Sequence, residues 1–248
     1  MGLQPAGTAP SIARGAVVDG SIAETWDARV EAWSTICATP VFQSFRDRIV
    51  REARLTGVET LLDLGCGTGL VALAATGQCA RVIGLDVSEE MLRRVAGTAS
   101  DVDGLEFILG DMRRIPLPDA SVDVVTSCYA FHHLGNDGKE LAAAEAFRVL
   151  RPGGRLVVVD MMFALTLAPR NRRIVASKVT LLLRMGPRGI VRLARNAGRV
   201  ATGRWEHPAP PEWWGAMLER RGFEDVSVAP LVHEAGLATC RRPGHDVA

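Results

Sequence analysis

Three aspartates and a run of glycines are the residues whose types and spacing bear most directly on chemistry. Leu61-Leu62-Asp63-Leu64-Gly65-Cys66-Gly67-Thr68-Gly69-Leu70 follows an apolar run and opens a helical one. Glycine lets a backbone approach a ligand where any Cβ would collide, and a sharp turn into a helix aims N–H groups at polar ligand atoms. Asp86 closes Val82-Ile83-Gly84-Leu85-Asp86, 21 residues after Gly65, where an acid accepts hydrogen bonds from ribose hydroxyls. Asp111 follows in Gly110-Asp111-Met112. Each acid alone reads equally well as a cap or turn residue. Three of them, each just past its own strand and beside a glycine loop, point to a ligand at the carboxyl edge of one sheet. The loop is GxGxG. It departs from the dinucleotide GxGxxG, because Leu70 holds the sixth position, and no Gly-Lys-Ser/Thr follows to make a phosphate loop.

A second cluster could move protons. Ser127-Cys128-Tyr129-Ala130-Phe131-His132-His133-Leu134 contains the only histidines of the first 160 residues and the only tyrosine of the chain. Histidine titrates near neutral pH and suits a catalytic base; the plainer reading is that one or both pack and bond to backbone. Asp160, ending a later strand, is either a substrate contact or a solvated strand-end acid. No metal site is expected, since two adjacent histidines lack a third ligand nearby. The five cysteines include no CxxC pair, which points away from zinc and disulfides and toward a reducing, cytoplasmic setting.

The elements that must position these residues alternate. Strands are expected at 58–64, 81–85, 105–109, 122–127 and 155–159. Helices are expected at 70–80, 89–98 and 139–150, the last stopped by Arg151-Pro152-Gly153-Gly154. Alternation of this kind builds a parallel sheet. A helix at 211–221 and two consecutive strands, 223–230 and 232–240, close the chain as an antiparallel edge pair. Ahead of the sheet, Ile22, Trp26, Val30, Trp33 and Cys37 mark one face of a helix over 22–37, and Pro40 separates it from a second helix over 41–54. Residues 1–20 read as a flexible tail.

In order along the chain, Asp63-Leu64-Gly65-Cys66-Gly67-Thr68-Gly69, Gly84-Leu85-Asp86-Val87-Ser88, Gly110-Asp111-Met112, Pro116-Leu117-Pro118-Asp119, Ser121-Val122-Asp123-Val124-Val125, Phe131-His132-His133-Leu134 and Arg148-Val149-Leu150-Arg151-Pro152-Gly153-Gly154 form a set. The set resembles the class I S-adenosylmethionine (SAM) dependent methyltransferases, in the broad group containing the ubiquinone and menaquinone biosynthesis methyltransferases. The resemblance covers roughly residues 41–160 and, more weakly, 205–241. It implies a Rossmann-like α/β fold with a seven-stranded, mostly parallel sheet, helices on both faces, and a cap built from the N-terminal helices and an insert after strand five. The implied layout is one methyltransferase domain over 21–248: cap helices 21–54, SAM-binding core 55–160, helical insert 161–205, and last helix with edge strands 206–248. It also implies that Gly65, Cys66, Gly67, Thr68 and Gly69 line the methionine and ribose of SAM. Asp63 would hold the ammonium, Asp86 and Val87 the ribose, and Asp111 and Met112 the adenine, with Ser127 nearby. His132 and His133 are the candidate catalytic pair, and S-adenosylhomocysteine would be the product. The loop at 127–134 is not the Asn-Pro-Pro-Tyr of methyltransferases acting on DNA bases or glutamine side chains. An NAD-dependent oxidoreductase is the alternative from another class, and a methyltransferase-like fold used for binding or non-methylating chemistry is a third.

Composition bounds the rest. With 248 residues, 48% hydrophobic and 23% charged, the chain is long enough and apolar enough for a large core. No apolar run approaches the ~18 residues a bilayer span needs, and no signal peptide is evident. The net charge of +1 conceals a split: residues 1–160 carry 15 bases and 21 acids, residues 161–248 carry 14 bases and 7 acids. Residues 161–205 hold ten bases and no acid, with Arg184, Arg188, Arg192, Arg195 and Arg199 spaced as one helical stripe. A solvated amphipathic face is the favoured reading over a membrane-surface helix. Nucleic acid is not expected, since no aromatics interleave with the arginines. The partner expected is a small-molecule acceptor, apolar or aromatic given tryptophans at 26, 33, 205, 213 and 214, on a monomer or homodimer.

Overall fold

The short Val/Ile/Leu runs become strands whose alternate side chains feed two cores, one on each side of a sheet. A computed structural model describes residues 10–15, 20–99, 102–164, 166, 169–201 and 206–244. Its elements run β1 (Ile12–Arg14), α1 (Gly20–Asp27), α2 (Val30–Cys37), α3 (Pro40–Ala53), β2 (Thr60–Leu64), α4 (Ala72–Ala75), β3 (Arg81–Asp86), α5 (Glu89–Thr98) and β4 (Leu105–Leu109). They continue with β5 (Val122–Cys128), α6 (Asn136–Val149), β6 (Leu150–Met161), α7 (Pro169–Arg184), α8 (Pro187–Ala201), α9 (Pro211–Arg220), β7 (Glu224–Pro230) and β8 (Ala235–Arg241). The sheet order is β1-β4-β3-β2-β5-β6-β8-β7. Strands β1 to β6 pair in parallel and β8 runs antiparallel to both β6 and β7.

Neighbouring residues point to opposite faces, as strand geometry requires. Leu61, Val82, Phe107 and Val124 pack with Ala72 and Val95 from α4 and α5. Leu62, Ile83, Val125 and Leu156 pack with Ala146 and Trp214 from α6 and α9. Helices thus cover both faces of a mostly parallel sheet closed by an antiparallel hairpin. From β2 the chain goes to β3 and β4 on one side; β5 and β6 lie on the other. That switch opens a crevice at the carboxyl ends of β2 and β5, the place where such sheets bind ligands.

The structure departs from the sequence-based expectation in five places. The sheet has eight strands, because Ile12–Arg14, expected in a flexible tail, pairs in register with Phe107–Leu109 of β4. Residues 1–9 and 16–19 lie outside the described residues. The helix expected over 22–37 is two helices broken at Ala28-Arg29, while its apolar stripe continues across the break. The helix expected over 70–80 contracts to Ala72–Ala75. The Pro152-Gly153-Gly154 turn lies inside a longer β6, where Gly153 takes φ +79 beside a register shift at Val122/Val124. Arg184 ends α7, so the arginine stripe is divided by the Met185-Gly186 turn, and α8 keeps only Arg188, Arg192, Arg195 and Arg199. Among the described residues no helix is long and apolar enough to cross a membrane.

Candidate functional site

The glycine loop is built to be thin. Gly65, Gly67 and Gly69 all take positive φ, +65, +53 and +85, which other residues adopt only with strain. A Cβ on Gly65 would stand 2.4 Å from the Ala130 Cβ, and one on Gly67 2.7 Å from the Trp33 Nε1. The loop after β2 therefore touches the loop after β5, and α2 closes down on it. Four of its N–H groups are already used. Those of Gly65 and Cys66 donate to the Leu85 carbonyl at 2.8 and 3.1 Å, and that of Gly69 to the Cys66 carbonyl at 2.9 Å. The Gly67 N–H donates to Asp86 Oδ2 at 2.8 Å. These four N–H groups are thus spent within the fold, and the missing side chains let Ala130 and Trp33 pack against the loop.

The acids divide in role. Asp86 lines the cavity above the loop, and its second oxygen accepts from the Ser88 N–H at 2.9 Å. Burial pushes its carboxyl up, against the pull of its N–H partners. Asp63 lies beneath the loop, 2% exposed. It accepts from Thr126 Oγ1 at 2.9 Å and from the Ala72 N–H at 3.2 Å. Burial pushes it up to about 7. Asp111 lines the cavity with Arg113 folded onto its carboxylate, bonding through both backbone N–H and guanidinium. Gly65, Gly67, Val87 and Met112 also line the cavity, whose empty volume is ≈ 650 Å³. Cys66 is buried against the sheet. Ser127 is fully buried and spends its hydroxyl on the Leu64 carbonyl at 2.8 Å. Asp63, Cys66, Thr68, Gly69 and Ser127, expected as contacts, are not among the residues lining this cavity; Asp63 and Ser127 brace the loop from below.

Residues that shape nucleoside sites are thus present: thin backbone, a strand-end carboxylate at β3, and a second acid across the cavity. An adenosine-bearing sulfonium fits this set, since Gly65, Gly67, Asp86 and Asp111 line one cavity.

A second cavity of ≈ 1240 Å³ adjoins the first, and Trp26, Trp33, Tyr129 and His133 line both. Val41, Phe42 and Phe45 of α3 and Ile36 of α2 give it apolar walls, and Arg29, Glu206, His233 and Glu234 add polar groups. Phe45 stacks on Tyr129 with ring centroids 5.4 Å apart, and Trp26 meets His133 edge-on at 4.6 Å. Tyr129 itself has φ +56, the outlying backbone that turns its ring toward α3. Burial pushes its hydroxyl far above its ordinary value, with Glu234 adding to the shift.

The histidines separate. His132 is 4% exposed and its Nδ1 lies 2.7 Å from Asp160 Oδ1. Asp160 is fully buried and also accepts from the Phe131 and Met161 N–H groups at 2.8 and 2.6 Å. Burial pushes its carboxyl up, but the His132 imidazole and these bonds outweigh it and hold it below its ordinary value. An ionised carboxylate only accepts, so Nδ1 carries the proton of this bond. His132 lines the second cavity. His133 is pushed down to about 3, chiefly by burial and then by His132. Asp160 is neither a substrate contact nor a solvated end, as the sequence left open; it orients His132. Sequence reasoning also passed over Lys139. It is fully buried, donates to the Leu134 carbonyl at 2.5 Å, and is pushed down to about 8 by burial. One of two lysines in a chain of arginines, at the start of a helix rich in alanine, was the available signal.

Of the insert, 161–205, Met161 lines the second cavity. Ile174 of α7 packs with Met161 and Phe163 against Tyr129, but no residue of α7 or α8 lines either cavity among the described residues. Trp205 lies outside them.

Residues 62–158 match a family described as a methyltransferase domain. The malonyl-(acyl-carrier protein) O-methyltransferase of Methylococcus capsulatus is 40% identical over 121 residues, 44% of this chain and 42% of that protein. The 27-O-demethylrifamycin SV methyltransferase of Amycolatopsis mediterranei is 38% identical over 120 residues, 47% of this chain and 43% of that protein. The matches thus span less than half the length of these curated relatives. The solved structure of the cyclase SpnF superposes with a TM-score of 0.66 at 16% identity, covering 96% of this chain and 100% of that one, a likeness of fold. The oxidoreductase alternative gains no support from these relatives. With the domain match lying across β2 to β6 and the sheet order around it, residues 62–158 are similar to a methyltransferase domain, set in the Rossmann-like fold of the solved methyltransferases.

Proposed function

We propose that the protein transfers the methyl group of SAM to a small apolar or aromatic acceptor, with a hydroxyl as the receiving group. The observation that carries this reading is the shared wall: one cavity has the glycine loop, Asp86 and Asp111, the other has Phe42, Phe45 and His132, and Trp26, Trp33, Tyr129 and His133 line both. Asp86 would hold the ribose, Asp111 and Met112 the adenine, and Gly65 and Gly67 would line the rest. SAM supplies, when bound, a methyl on a positively charged sulfur.

The chain's own work is then alignment, exclusion of water and removal of one proton. The aromatic walls supply the first two. His132 Nε2, with Asp160 fixing the tautomer and stabilising the imidazolium, takes the hydroxyl proton. His133, pushed down to about 3, stays neutral at pH 7 and serves as wall. The test pairs calorimetry on S-adenosylhomocysteine with a labelled-methyl assay on phenols, quinols, amines and thiols. Transfer to phenols or quinols supports the reading. Cofactor binding without transfer to any member of the panel would favour a non-methylating use of the same fold.

A further inference from the structure

The α7–α8 hairpin combines two properties that are seldom left together in water. Its helices, Pro169–Arg184 and Pro187–Ala201, hold nine bases and no acid. Among the described residues, Arg172, Arg173, Arg184, Arg188 and Arg195 are exposed and make no ion pair. Of the nine large apolar side chains exposed among the described residues, four fall between 183 and 191: Leu183, Met185, Ile190 and Val191, at 51%, 50%, 55% and 59%. Leu183 and Met185 sit at the turn joining the helices and Ile190 and Val191 near the start of α8, with Arg184 and Arg188 between them in sequence. Apolar surface gathered in one place marks an interaction site.

We propose that this hairpin docks the protein on an anionic lipid surface, its tip entering the headgroup boundary. Charge complementarity selects that occupant. Aliphatic side chains gain by entering the acyl boundary while arginines beside them meet lipid phosphates, and a bilayer surface offers both at once. A second copy of the hairpin would set one acid-free basic face against another. A nucleic acid would satisfy the arginines but leave the aliphatics in water, and residues 169–201 contain no aromatic side chain to stack on a base. The inner end of the hairpin reaches the site through Ile174, against Tyr129. Docking therefore holds the second cavity close to the lipid, where an apolar acceptor would concentrate. That consequence rests on the acceptor reading above; the docking does not.

The test is co-sedimentation of the full chain with vesicles of phosphatidylglycerol in phosphatidylcholine, and with phosphatidylcholine alone. The protein is expected to sediment with the anionic vesicles and to be released by high salt. Leu183→Ser/Ile190→Ser/Val191→Ser is expected to weaken binding by at least about tenfold. Arg184→Gln/Arg188→Gln is expected to weaken it by about 30-fold. Unchanged thermal melting shows that both variants are folded. Failure to bind anionic vesicles, or binding untouched by either variant, would overturn the proposal. So would a dimer in sedimentation velocity that the serine variant dissolves, or duplex DNA binding that needs the arginines and ignores the aliphatics.

Discussion

A carboxylate at a strand end can serve the fold or the ligand, and Asp86 is placed to do both. Its oxygens hold the Gly67 and Ser88 N–H groups at 2.8 and 2.9 Å while it lines the cavity. Asp86→Ala orphans two buried donors and removes the acceptor proposed for the ribose. We expect roughly 1.5–3 kcal/mol of lost affinity for S-adenosylhomocysteine in calorimetry, with about 1–3 kcal/mol of lost stability in denaturant unfolding. Unchanged affinity would remove Asp86 from the site. His133 gives a second test. Its folded value of about 3 lies below its ordinary 6.5, so between those values the unfolded chain binds a proton that the folded chain refuses. Stability contributed by neutral His133 is therefore lost as pH falls from about 6.5 toward 3. Asp63, raised from 3.8 to about 7, acts with the opposite sign: stability falls as pH rises through that range. The wild-type curve sums both, so the readout is a difference. His133→Gln is expected to lose less stability than wild type on acidification from pH 6.5 to 3, and parallel curves would refute the assignment. Positions of Asp63, Asp86 and Asp111 were legible because strand, loop and acid are adjacent in sequence. Their partners were not: Thr126 for Asp63 and Asp160 for His132 come from strands brought alongside only by the sheet.

At the scale of elements, alternation of apolar runs and helical stretches gave the sheet and its closing hairpin. What it missed is set by long-range ties. No Gly or Pro marks the break between α1 and α2. The break coincides with Asp27, whose carboxylate accepts from Ser88 Oγ at 2.5 Å and the Glu90 N–H at 3.2 Å, fastening α1 to the start of α5. Glu31 of α2 then pairs with Arg94 of α5 at 2.8 Å. These contacts bring Trp33 over Gly67. Gly67→Ala combines two penalties, an alanine at φ +53 and a Cβ 2.7 Å from the indole nitrogen. The backbone part costs about 1–2 kcal/mol, and the contact adds to it unless α2 lifts. Trp33→Ala removes only the contact. The double variant is therefore expected to be more stable than the two single losses predict, and also to bind S-adenosylhomocysteine better than Gly67→Ala alone. Additive losses in denaturant unfolding would mean that α2 does not press on the loop.

Across the whole molecule, the first helices and the first strand serve different ends of the sheet. Strand β1 covers the β4 edge, bonding through the Phe107 N–H to the Ser11 carbonyl at 3.1 Å and through the Gly15 N–H to the Leu109 carbonyl at 2.8 Å. Helices α1 and α2 supply Ile22, Trp26 and Trp33 to the cavity above β2 and β3. Two truncations separate these jobs. Removing residues 1–15 bares the backbone of β4 but leaves the cap, so cofactor affinity is expected to persist while self-association rises, because an uncovered edge strand templates pairing. Removing residues 1–39 takes the tryptophan wall as well. The glycine loop, Asp86 and Asp111 remain on the sheet, so S-adenosylhomocysteine binding is expected to weaken without vanishing, and methyl transfer to fall much further, since water then enters the space between the two cavities. Hydrogen exchange on the full chain gives the matching view: α1 and α2 gain protection when the product and an acceptor bind together, beyond what the product gives alone. If the longer truncation kept both full affinity and full turnover, the tryptophans would be packing for the fold, and the second cavity would lose its claim to the acceptor.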